Sequence, residues 1–118
     1  MGWIGVDLDG TLAKYEGWSA NHDQIGEPVP AMLRRVIDWL NNHEEVKIFT
    51  ARASASGTDY VDQIRLIEAW CEKHIGRKLP ITNKKDFGMI ELWDDRAVQV
   101  EMNTGRRAVL LPKEDDKS

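Results

Sequence analysis

The chain has 118 residues, 42% of them hydrophobic, with five tryptophans and a formal net charge of -4. That length suits one domain with a single core and excludes a catalytic domain carrying a separate lid domain. The acidic balance gives no global attraction to nucleic acid or an anionic membrane, and no run approaches the ~18 uninterrupted apolar residues of a membrane span. The start "MGWIGV" has neither the basic-then-apolar layout of a secretory signal nor a Ser or Thr at position 6 for myristoylation, so the chain reads as cytoplasmic. A lone cysteine, Cys71, excludes an internal disulfide and a Cys-based zinc cluster.

In chain order, "WIGVD" is an apolar run rich in β-formers that stops at a Gly-containing turn, which predicts a buried parallel strand. The stretch 12–28 has no helical period and is long for a structureless connection, which predicts a functional loop or flap. From Pro30, the residues Leu33, Val36, Ile37 and Leu40 recur with the one-sided spacing of an amphipathic helix. "VKIFT" is a second strand. Thr58 is the predicted N-cap of a long helix on which Tyr60, Ile64, Ile67, Cys71 and Ile75 share a face. "LPIT" and "MIELW" are short third and fourth strands. "DDRAVQVEMNTG" reads as a helix with acids at its N-terminus and Gly105 at its end, "RAVLL" as a fifth strand, and residues 113–118 as a frayed tail after a single domain over 1–112. Alternating strands and helices predict an α/β protein, a three-layer parallel sheet covered on both faces, with every strand's C-terminal end on one edge.

Ligands of such sheets bind at that edge. The residues that end the strands are Asp7 with Asp9, Thr50 with Arg52, Lys84 with Lys85, and Asp94 with Asp95. Three or four carboxylates, a hydroxyl and a cation are what magnesium-assisted transfer of a phosphoryl group to an aspartate needs. A carboxylate attacking a phosphate dianion meets repulsion of about 4 kcal/mol per unit charge at ~4 Å, even at an effective dielectric near 20. A hard divalent cation held by Asp7, Asp94 and Asp95 removes most of that barrier. Asp9 is then free for acid and base work, Gly10 lets the backbone approach the phosphate, and Thr50 donates a hydroxyl without adding charge.

At these residues the chain resembles the haloacid dehalogenase superfamily: "DLDGT", "IFTAR", a following lysine and a strand ending in "DD" are similar to its four motifs, in order, across residues 4–95. The resemblance implies a Rossmann-like sheet of order 5-4-1-2-3, Asp7 as nucleophile and Asp9 as general acid and base. It further implies Thr50 as a phosphate ligand, a lysine beside the phosphoryl group, and magnesium held by Asp7, the Asp9 main-chain carbonyl and the Asp94/Asp95 pair. Of Lys84 and Lys85 the second is taken as the cation. Arg52 either pairs with an acid or touches the substrate, and is counted with the substrate-binding residues. Neither connection between motifs is long enough for a cap domain, so the chain is similar to capless members, which by resemblance accept bulky substrates. "DGTLAK", "ARASASGT" and "DDRAVQVEMNTGRR" are more weakly similar to the 3'-phosphatase domains of bacteriophage polynucleotide kinases.

The expected activity is therefore a phosphomonoester hydrolase acting on a nucleotide or a nucleic-acid end, with a small phosphorylated metabolite next, and with no membrane or obligate protein partner. Two rivals stand beside it. A receiver-like signalling domain uses the same residue types, but its acidic pair ends the first strand, whereas here the pair comes late. A binding module with this fold and no turnover is less attractive because Asp7 and Asp9 are both intact. In the 12–28 loop, Tyr15, Trp18 and His22 either stack on a base or pin the loop, while Trp3, Trp39, Trp70 and Trp93 read as packing residues and His43 and His74 as structural.

Overall fold

A computed structural model describes residues 2–15, 17 and 23–108. Its elements in chain order are β1 (Trp3–Asp7), α1 (Pro30–Asn41), β2 (Glu45–Phe49), a 3-10 turn (Ala51–Ser54), α2 (Gly57–His74), β3 (Ile81–Thr82) and β4 (Met89–Trp93). The four strands form one all-parallel sheet in the order β3-β2-β1-β4. The fold is α/β with β1 at the centre, so whatever follows β1 is flanked by whatever follows β2 and β4. No helix among the described residues is long and apolar enough to cross a membrane.

Helix α1 starts at Pro30, whose fixed φ and missing N–H suit a first helical position. Its buried residues are Met32 and Val36, with Leu33, Trp39 and Leu40 packed on the core. Helix α2 follows Ser56 and starts at Gly57, so Thr58 lies inside it and is not the N-cap that the sequence predicts. Its core face is Ile67, Trp70 and Cys71; Tyr60, expected on that face, is exposed.

Ile4 and Val6 of β1 lie beside Val46 and Ile48 of β2, and side chains at alternate strand positions leave one face of the sheet. All four join one cluster with Met32 and Val36 of α1 and Ile67 and Cys71 of α2. Two successive right-handed crossovers in the same direction, β1 to β2 to β3, put both helices on that face. The expectation of three layers is corrected accordingly: among the described residues no helix covers the opposite face. The short connection 83–88 joins the two outer strands and is fastened to Trp3 instead. The Trp3 indole N–H donates to Asp86 Oδ1 at 2.9 Å, its backbone N–H donates to the Gly88 carbonyl at 2.8 Å, and Lys47 Nζ sits 4.5 Å over its ring.

Two further expectations fail after β4. Residues 94–105 form no helix. Asp94 Oδ1 accepts the Arg96 N–H at 2.7 Å, a side-chain turn that competes with helical bonding, and Asn103 and Gly105 take positive φ values of 67° and 79°. The chain folds back instead, with Glu101 N–H donating to the Arg106 carbonyl and Ala108 N–H to that of Gln99. The start of the predicted fifth strand, Arg107 and Ala108, belongs to this reversal; its residues 109–111 and the tail 113–118 lie outside the described residues.

Strand β4 also carries a bulge. Trp3 faces Met89, but Ile4 faces Glu91, leaving Ile90 as the extra residue, and beyond it Val6 faces Trp93.

Candidate functional site

Because of that offset, Asp94 emerges beside Asp7 rather than one residue beyond it. One carboxylate oxygen each from Asp7, Asp94 and Asp95 lie within 4.8 Å of one another. Burial, then the Asp94 charge, then contact with Asp95 push the Asp7 carboxyl from 3.8 up to about 7. Three acids concentrated in this way repel one another unless a cation joins them.

Thr11, which the sequence reading did not single out, ties the cluster together. Its Oγ1 stands 3.1 Å from Asp7 Oδ2 and 3.3 Å from Asp95 Oδ1, and accepts the Asp95 N–H at 3.0 Å. The tight turn after β1 brings it there, with the N–H groups of Thr11, Leu12 and Ala13 all donating to the Leu8 carbonyl. Its place four residues after Asp7, on a turn between strand and loop, was the available signal.

Gly10 packs closely against Asp95. Its φ is +94°, and a Cβ there would lie 2.7 Å from Asp95 Oδ2. Gly10→Ala is therefore expected to cost roughly 1–3 kcal/mol through backbone strain and displaced Asp95. Urea unfolding checks the first effect, and a smaller stabilisation by added magnesium checks the second.

Asp9 lies outside the acidic triad. Arg52 Nε donates to its Oδ2 at 2.7 Å and Nη2 to its Oδ1 at 3.0 Å, a two-pronged pair in which the arginine is 8% exposed. Nη1 donates to Gln63 Oε1 at 2.9 Å and Nη2 also to the Gln24 carbonyl at 2.7 Å. The ion pair, one of the two readings left open for Arg52, is present, and the residue also lines the cavity beside it. The same residues brace the loop beside the site. Trp70 Nε1 donates to the Gly26 carbonyl at 2.8 Å, and the loop's two stems pair through Lys14 N–H to Glu27 and Val29 N–H to Leu12.

Asp7, Asp9, Arg52, Asp94 and Asp95 line a cavity of about 710 Å³. Thr50 is 3% exposed; its Oγ1 accepts the Arg52 N–H at 3.1 Å, which leaves the hydroxyl proton to be donated. Tyr15, Ser54, Asn83 and Arg96 complete the polar wall. Lys84 and Lys85 do not. Both are exposed on the connection after β3, and Asn83 takes the place at the wall that the sequence reading assigned to Lys85. Trp18 and His22 lie outside the described residues.

The donor set fits a hard divalent cation. Magnesium takes oxygen ligands at about 2.1 Å, so two on opposite sides stand about 4.2 Å apart, and three acids within 4.8 Å of one another need only small adjustments to share one ion. Asp9, whose expected contact was its main-chain carbonyl, keeps its side chain on Arg52.

No protein-family model matches the chain, and no curated protein matches it. Among solved structures it is similar to that of a conserved protein coded by a locus of Bacteroides thetaiotaomicron. That likeness has 20% identity and a TM-score of 0.54, over 80% of this chain and 76% of that one. At such identity it concerns the fold alone.

Proposed function

We propose that the chain is a magnesium-dependent phosphomonoester hydrolase of the haloacid dehalogenase type, without a cap domain, working through an aspartyl-phosphate on Asp7. The observation that carries this reading is the meeting of Asp7, Asp94 and Asp95 within 4.8 Å, in a cavity shared with the Thr50 hydroxyl and an Arg52-held Asp9. Magnesium bound by the triad would supply charge neutralisation between the nucleophile and the phosphate oxygens.

Asp7 Oδ attacks phosphorus, forming a new O–P bond as the ester P–O bond breaks. Asp9 delivers a proton to the departing oxygen, then takes one from the water that cleaves the Asp7 phosphate and restores the carboxylate. Arg52 fixes the direction in which Asp9 faces. Each Asp9 oxygen keeps a second lone pair for that proton while the guanidinium occupies the first. Thr50 donates to a phosphoryl oxygen, and Thr11 holds Asp7 and Asp95 in register. The proposed substrate is a phosphate monoester with a bulky leaving group, a nucleotide or a phosphorylated nucleic-acid end, since the cavity far exceeds one phosphate and Tyr15 presents a ring in its wall.

The test is phosphate release from nucleotides, 3'- and 5'-phosphorylated oligonucleotides and sugar phosphates, with magnesium and with chelator. Metal-dependent release from at least one class is expected. A folded protein that releases none refutes the reading, and one that accumulates a long-lived phospho-Asp7 is a receiver-like domain instead.

A further inference from the structure

We propose that Arg96, rather than either lysine after β3, is the cation that receives the substrate's phosphate group. This rests on the phosphatase reading and concerns which side chain holds the anion. The positively charged residues in the cavity wall are Arg52 and Arg96, and no lysine is among them. Arg52 is engaged on all three of its nitrogens, with Asp9, Gln24 and Gln63. Arg96 is exposed and forms no salt bridge among the described residues, although Asp94 and Asp95 immediately precede it. Its backbone is nonetheless fixed, because its N–H closes the turn on Asp94 Oδ1 at 2.7 Å.

Position and charge agree. Thr50 follows β2 and Arg96 follows β4, the two strands that flank β1, so an anion above Asp7 lies between the hydroxyl and the guanidinium. With all four of its acids ionised, the state that free phosphate meets, the wall carries four carboxylates against two guanidinium groups, and a bound divalent ion brings it to neutrality only when Arg96 is counted. Without Arg96 a phosphate dianion would approach a net negative wall. A guanidinium also offers two parallel N–H groups to two phosphate oxygens, which a lysine does not.

The experiment is titration calorimetry of inorganic phosphate into the magnesium-loaded protein, alongside magnesium titration without phosphate. Arg96→Gln is expected to weaken phosphate roughly 10- to 100-fold, the size of a lost charge-assisted hydrogen bond, while magnesium binding is not weakened. Arg96→Lys should recover part of the loss. Three results overturn the assignment: Arg96→Gln binding phosphate as wild type does, Arg96→Gln losing magnesium as well, or Lys85→Gln suffering the larger loss. If wild type still releases phosphate from esters, those results remove Arg96 alone. A wild-type protein that binds magnesium but neither binds phosphate nor releases it from any ester removes the phosphatase reading with it.

Discussion

Replacing Asp7 by Asn is expected to abolish phosphate release and, in the metal-free protein near pH 8, to raise the melting temperature. The first effect follows from losing the nucleophile, for which a fall of roughly 10⁴-fold or more is usual. The second follows from the sign of the shift on Asp7. Its carboxyl sits at about 7 in the folded protein against 3.8 in an unfolded chain. A raised carboxyl contributes stability that is fully present below about 3.8 and is lost as pH rises through about 7. At 1.36 kcal/mol per unit, the ceiling is about 4 kcal/mol, and water reaching an open cavity reduces it to about 2 kcal/mol. Asn is the same size and never ionises, so its stability should stay level where that of wild type declines.

Melting curves in chelator should therefore coincide near pH 4 and diverge by on the order of 5–10 °C at pH 8. Added magnesium should close that gap for wild type at pH 8, do much less at pH 5, and do little for Asp7→Asn. Parallel wild-type and variant curves across this range would show that Asp7 is not a strained acid waiting for a cation.

Arg52→Met should be the most destabilising single change at the site. The Arg52 side chain is 6% exposed and that of Asp9 23%. Breaking a buried pair from one side costs about 3–5 kcal/mol, and the partial solvation of Asp9 brings the expectation to about 2–4 kcal/mol. Gln63 and the Gln24 carbonyl lose a donor in the same step. Urea unfolding should show this loss. Arg52→Lys, which keeps the charge but not the fork, should fall between, with kcat reduced more than its stability because Asp9 is no longer aimed. An Arg52→Met protein within about 1 kcal/mol of wild type would deny the pair its structural role.

Where one local cause dominates, the sequence sufficed. Pro30 and the apolar spacing behind it give α1 its start, and the run "MIELW" is β4 to the residue. The acids Asp7, Asp94 and Asp95 could be paired from strand ends alone, since a parallel sheet delivers them to one edge. What escaped depended on competing or distant partners. The acidic start and terminal glycine of 94–105 fit a helix, but Asp94 spends its side chain on the Arg96 N–H, and Val98, Val100 and Met102 stay exposed with no core face to bury. The choice of Arg52 for Asp9 needs a partner 43 positions away. Lys85 matched a motif by order, whereas reaching the cavity depends on how the 83–88 connection leaves β3, which composition does not encode.

The bulge at Ile90 bears on how this protein can change over generations. Side chains alternate along a strand, so adding or dropping one residue between the bulge and Asp94 would turn that acid away from Asp7 and shift it by about 3.3 Å. The count of residues there is as binding on the lineage as the identity of the acids. The final stretch of β4 therefore has no slack for insertions. The stems of the loop after β1 carry no such count, because they are joined to each other, Lys14 N–H to Glu27 and Val29 N–H to Leu12.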